Sequence, residues 1–180
     1  MKKLFFFLCF AWSVNTGAGQ TFTLNSNDLG GQFTPVFIAA SFGCNGSNQS
    51  PELHWTNPPA DTKSFAITMY DLDAPTGSGF WHWVITNIPA SVTGLKRDAG
   101  NVQGGVAPPG SLQSNNDMGI PGYQGPCPGE GDSPHRYLLT VYALRTDKLG
   151  TTAQATAALS GYMLNKAAIG KASLVVYCKR

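Results

Sequence analysis

Tyr70-Asp71-Leu72-Asp73-Ala74-Pro75-Thr76-Gly77-Ser78-Gly79-Phe80-Trp81-His82-Trp83 is the stretch in which an apolar strand gives way to polar chemistry and returns as a second strand. Before it, Ser64–Tyr70 alternates Phe65, Ile67 and Met69 with Ala66, Thr68 and Tyr70, the period of a half-buried strand. Residues two apart in an extended chain face the same way, so Asp71 and Asp73 are expected to point together into one cavity. Pro75, Gly77 and Gly79 then impose a turn, and Trp83–Ile88 resumes as an apolar strand with His82 at its mouth, between two indoles. Two readings follow. An imidazole held against indoles and oriented by a carboxylate suits an anionic or phosphorylated ligand. A plain hairpin, with the aspartates bonding their own turn and the histidine simply packed, fits the same residues.

Working outward, Thr21–Asn25 reads as a first edge strand, and Phe33–Phe42 as an apolar run closed by the turn residues Gly43 to Ser47. Leu53 and Trp55 fit one face of a short strand, with His54 between them read as a packed histidine. Leu138–Leu144 is β-favouring and apolar throughout, as expected of a central strand buried on both faces. It is entered through Pro134-His135-Arg136-Tyr137, in which His135 and Tyr137 share a face and Arg136 points away, where an ion pair is its expected role. Thr151–Lys166 is predicted to be helical from the spacing of Ala155, Leu159, Tyr162 and Met163, although Gly161 weakens it. Ser173–Cys178 closes the chain as a strand. The fold class expected is mostly β with a small helical component near the C-terminus.

The chain has 180 residues, enough for one domain with a real core. Met1-Lys2-Lys3, the apolar run Leu4–Val14 and the small residues Thr16 to Gly19 have the layout of a secretory signal peptide, so residues 1–19 are expected to be a leader and 20–180 the mature domain. The run is shorter than the roughly 20 residues a bilayer requires, and a soluble periplasmic or secreted protein without a stable membrane anchor is expected. Removing Lys2 and Lys3 takes twelve basic residues to ten, against ten acidic ones. That balance, with no long basic run, excludes a nucleic-acid footprint. Cys44, Cys127 and Cys178 lie in the mature part. Pairing of Cys44 with Cys127 is favoured, since both sit in Gly/Pro-rich loops whereas Cys178 ends an apolar strand.

Between Gly100 and Pro134 glycine and proline abound and no apolar period is visible, so the segment is either mobile or a set of shaped loops. Tyr123, Pro126, Cys127 and Pro128 favour a shaped wall. Asp71, Asp73, His82, this wall, and His135 with Tyr137 thus each place polar groups beside a turn, as β scaffolds do around a ligand. Two rivals are weighed. His82, His135, Asp71 and a cysteine are all metal-ligand types, but their spacings match no short zinc pattern. A Ser-His-Asp hydrolase would need a nucleophile elbow, and no Gly-x-Ser-x-Gly occurs.

Ser50-Pro51-Glu52-Leu53-x-Trp55, Asp71-Leu72-Asp73-Ala74-Pro75, Trp81-His82-Trp83 with Asn87-Ile88-Pro89, Gly122-Tyr123-x-Gly125-Pro126-Cys127-Pro128 and Pro134-His135-Arg136-Tyr137 occur in that order. Together they resemble the phosphatidylethanolamine-binding protein family, in particular its bacterial YbhB/YbcL branch, also called Raf kinase inhibitor-like. The resemblance implies a β-sandwich with a small pocket for phosphate, acetate or a phospholipid headgroup, no cofactor and no catalysis. By motif, Asp71, Asp73, His82, His135 and Tyr137 are the implied pocket residues and Gly125 with Pro126 the implied wall. Turn N–H groups and an imidazole would bind the anion, Tyr137 would add a hydroxyl, and the carboxylates would fix the imidazole. The implied partner is a small anionic or phosphorylated ligand. A kinase or protease engaged through the same surface is the alternative, and hydrolysis with His82 or His135 as base is the third reading. Leu72 and Gly129 stand where the family pattern has prolines, which is expected to soften both loops.

Overall fold

The computed structural model describes residues 20–180, and the expected leader, residues 1–19, lies outside the described residues. In chain order the elements are β1 (Thr23–Asn25), β2 (Leu53–Thr56), β3 (Ser64–Asp71), β4 (Phe80–Pro89), β5 (Gly94–Leu95), β6 (Leu112–Gln113), β7 (His135–Leu144), α1 (Ala157–Ala167) and β8 (Ala168–Cys178). They form two sheets, a small one in the order β1-β2-β5 and a large one in the order β6-β4-β3-β7-β8. Every pairing between these strands is antiparallel. The architecture is mostly β with one helix near the C-terminus, and the sheets are not closed into a barrel.

Inward-facing residues of both sheets make the main core. Leu24, Leu53, Trp55 and Leu95 come from the small sheet; Phe65, Ile67, Met69, Trp83, Ile85, Leu139 and Val141 come from the large one. This is the alternation that the sequence displays in β2 and β3. β3 is nevertheless not half-buried as its alternation implies. Ala66 and Thr68 are as buried as Phe65 and Ile67, because Tyr142, Leu144, Leu149 and the helix residue Leu164 cover the other face around Ala66. β7 lies between β3 and β8 and is buried on both faces beyond its second residue, save for a half-exposed Leu138.

α1 begins later than its apolar spacing indicates. Thr156 caps it, its Oγ1 accepting from the Leu159 N–H at 3.2 Å. The buried face is Ala157, Ser160, Gly161 and Leu164, whereas Leu159 and Tyr162 of the expected face are exposed. Gly161 is where the helix lies against the sheet: a Cβ there would sit 3.1 Å from the Trp81 ring. The run 33–42 makes turns, not a strand. Pro35 has no N–H to offer a ladder, and the carbonyls of Pro35, Val36, Ile38 and Ala39 accept instead from Ser47, Gln49, Asn48 and Gly46 at 2.8–3.1 Å. Among the described residues no helix is long and apolar enough to cross a membrane.

Candidate functional site

β3 and β4 pair Met69 with Trp83 but Tyr70 with Trp81, so His82 is an extra, unpaired residue on β4. Such a bulge re-aims a side chain and breaks strict alternation. Trp81 and Trp83, two apart, accordingly reach different places. Trp81 packs on Tyr70 at a tilt, with ring centres 4.7 Å apart, and Trp83 meets Tyr123 edge-on at 5.7 Å within the core. His82 packs on neither indole; its ring neighbours are Phe80 at 4.9 Å and Tyr137 at 5.2 Å. The imidazole between indoles expected from the sequence is therefore corrected: adjacent strand residues do not share a face, and the bulge also sends the two indoles to different places. His82 also lies within the strand rather than at its mouth.

His82 is buried, and its Nδ1 lies 2.8 Å from the Gln124 carbonyl oxygen. A carbonyl only accepts, so Nδ1 carries the proton and Nε2 is left as the free nitrogen. Burial pushes the His82 pKa below the ordinary histidine value, only partly countered by the Gln124 hydrogen bond and the Asp71 charge. The ring is a neutral acceptor at neutral pH.

Antiparallel pairing sets Asp71, the last residue of β3, directly opposite Tyr137 of β7. His135, two residues before Tyr137 on the same face, reaches the same carboxylate. Asp71 Oδ2 lies 2.8 Å from His135 Nδ1, while Oδ1 accepts from the Asp73 N–H at 2.9 Å. The turn bond is made by Oδ1, but the carboxylate expected to orient His82 instead holds His135 through Oδ2, and His82 is oriented by the Gln124 carbonyl. Asp71 and His135 are buried. Burial first, then the nearby Asp71 charge, holds the Tyr137 phenol far above its ordinary pKa, so it keeps its proton.

These groups open into one cavity of about 300 Å³. Asp71, His82, Gly125, His135 and Tyr137 line it; Asp73 and Pro126 do not. The Asp73 carboxylate turns outward and clamps Arg136, accepting from its backbone N–H at 2.7 Å, Nε at 2.9 Å and the second guanidinium nitrogen at 2.7 Å. That guanidinium holds the Asp73 carboxyl down at about 2. The expectation that both carboxylates point inward fails because the strand ends at Asp71 and extended geometry does not continue to Asp73. Pro126 stands behind the wall, its carbonyl accepting from the Ala39 N–H at 3.0 Å.

The Gly/Pro-rich segment does form a wall. Residues 122–126 are buried, and the Tyr123 hydroxyl donates to the Phe37 carbonyl at 2.8 Å. Gly125 is required by close approach: a Cβ there would lie 2.5 Å from the Ala39 nitrogen and the Phe37 oxygen, both backbone atoms. The backbone donors implied for the anion are in use, with Gly125 N–H bonded to Asn48 Oδ1 at 2.7 Å and Asp73 N–H to Asp71. Cys44 and Cys127 form a disulfide that ties the wall to the 41–44 turn, and Cys178 is free and buried. Each departure from the family prolines supplies a backbone N–H that its loop uses. Leu72 N–H donates to the Arg136 carbonyl and Gly129 N–H to Asp132 Oδ2, both at 3.0 Å, bonds that proline could not make.

Sequence reading missed Phe42, Phe80, Met118, Gln124 and Asp132, which also line the cavity. Asp132 Oδ2 stands 3.6 Å from His135 Nε2, beyond hydrogen-bond length. Its position three residues before His135 was the available signal. Among the described residues, no group of three or more His, Cys, Asp or Glu side chains is placed to hold a metal ion.

The family profile described as phosphatidylethanolamine-binding protein matches residues 23–179. The chain belongs to the phosphatidylethanolamine-binding protein family. Its relatives include YbcL of Escherichia coli, 44% identical over 176 residues, covering 97% of this chain and 96% of YbcL. YbhB of the same organism is 42% identical over 154 residues, covering 84% of this chain and 96% of YbhB. A lipoprotein candidate of Mycobacterium tuberculosis, LppC, is 34% identical over 138 residues, covering 77% of this chain and 64% of LppC. The crystal structure of YbcL, described as a member of the mammalian phosphatidylethanolamine-binding protein family, superposes with a TM-score of 0.86 at 46% identity, over 88% of this chain and 98% of YbcL. The chain is thus a member of a family of binding proteins.

Proposed function

We propose that this chain is an exported, non-enzymatic binding protein whose cavity takes a small anionic or phosphorylated group. The observation that carries the reading is the meeting of His82, His135 and Tyr137 at one opening, with Asp71 orienting His135 through Nδ1. Tyr137 keeps a hydroxyl proton to donate. His135 presents Nε2–H when a second proton is on the ring, and neutral His82 accepts a P–OH proton through Nε2. A partly protonated phosphate offers both donors and acceptors and matches that set.

A non-enzymatic role is preferred, because no serine, free cysteine or free threonine hydroxyl among the described residues lines the cavity: Cys127 is in the disulfide, and the Thr76 hydroxyl is bonded to the Gly79 carbonyl. Export is supported by the leader-like residues 1–19, by the disulfide, which persists in oxidising compartments, and by the resemblance to LppC. Calorimetric titration with inorganic phosphate tests the reading. Saturable binding is expected, weakened roughly tenfold or more in His135→Ala through loss of a charge-assisted hydrogen bond. Equal binding by the two proteins would refute it.

A further inference from the structure

Phe42 is an aromatic residue in the wrong place for the fold. Its φ of 57° lies in the left-handed region, which bulky side chains avoid, and the residue is 62% exposed. It gains nothing from the core. Its backbone is placed by a nearby cross-link: Cys44, two residues on, is bonded to Cys127, and the Phe42 carbonyl oxygen lies 3.5 Å from Cys127 Sγ. Phe42 lines the cavity, as do the exposed Met118 and the aromatic ring of Phe80, which packs on His82.

The cavity is also larger than a bare phosphate needs. At about 300 Å³ it is of the size of sites that take small organic ligands, against the five heavy atoms of the anion. Among the described residues its lining contains no Lys or Arg and does contain the carboxylates Asp71 and Asp132, so little opposite charge awaits a free dianion. Burying an apolar substituent adds affinity without needing charge. We propose that the cavity takes phosphomonoesters carrying an apolar substituent, and that Phe42, with Met118, is the residue that selects them. This rests on the phosphate-group reading above and specifies what is attached to the phosphate.

Three probes test it by calorimetry at one pH: inorganic phosphate, phenyl phosphate, and phosphoethanolamine as an ester of polar substituent. Phenyl phosphate is expected to bind roughly tenfold tighter than either of the others, the gain that burying part of a ring provides. Phe42→Gly should bring that ratio close to one. Glycine suits the backbone at this position, so its melting temperature should be unchanged or raised, which separates ligand selection from a structural role. Phenyl phosphate binding no tighter than inorganic phosphate, phosphoethanolamine binding tightest, or an unchanged ratio in Phe42→Gly would each overturn the proposal while leaving the phosphate reading intact. Binding of none of the three would overturn both. Lipid and soluble monoesters share this chemistry. Displacement of bound phenyl phosphate by vesicles containing phosphatidic acid would support a lipid as the source of the ester, and displacement only by soluble alkyl phosphates a soluble one.

Discussion

Asp71 and Asp73 are two residues apart and have opposite destinies. Asp71 is buried and divides its oxygens between the Asp73 N–H and His135, whereas Asp73 faces water and clamps Arg136. The sequence displays both carboxylates but not where β3 stops, and one residue of difference in that end decides which enters the cavity. The Asp73 pair has a testable pH signature. Its carboxyl sits at about 2 against an ordinary 3.8, so its stabilisation is complete above pH 3.8 and is lost as pH falls from there toward 2. Asp73→Asn should therefore resemble wild type in acid near pH 2 and be the less stable protein above pH 4, by urea midpoint. The pair is exposed, so added salt should shrink the difference. A midpoint difference independent of pH would contradict the ion pair.

At the scale of elements, the hairpin, the central β7 and the shared face of His135 and Tyr137 were legible because period-two alternation survives wherever strands pair regularly. The β4 bulge was not legible, since nothing in Trp81-His82-Trp83 marks which residue loses its partner. Without it His82 would face away from the neighbours it now has. The apolar spacing announces the helix but not its buried face. Leu159 and Tyr162 supply apolar spacing and are exposed, while Gly161 permits the close approach to Trp81. Gly161→Leu should cost about 1–3 kcal/mol by overpacking, although glycine is a poor helix former, and should alter Trp81 fluorescence. A stability gain with unchanged fluorescence would show that the helix does not rest on Trp81.

Across the whole molecule, the disulfide joins positions 83 residues apart and links the turn holding Phe42 to the wall holding Gly125. Chain-entropy reasoning gives such a closure about 4–5 kcal/mol, and native bridges commonly deliver about 2–4. Reduction should lower stability by about 2–4 kcal/mol in denaturant unfolding followed with and without reductant. No change would contradict the bridge. The wall was legible as composition, Gly and Pro without period. Its ordering depends on long-range bonds such as Tyr123 to Phe37 and Gly125 to Asn48, which no local pattern announces.

The central claim is that β3, β4 and β7 bring two histidines to one anion-gripping hollow, and the chain's three histidines allow it to be tested directly. Imidazole nitrogen resonances should be followed by NMR during a phosphate titration. His82 and His135 should shift together with one saturating midpoint, while His54, paired with Glu52 away from the cavity, stays still. Shifts of only one of the two, with different midpoints, or of neither, would contradict a single shared site.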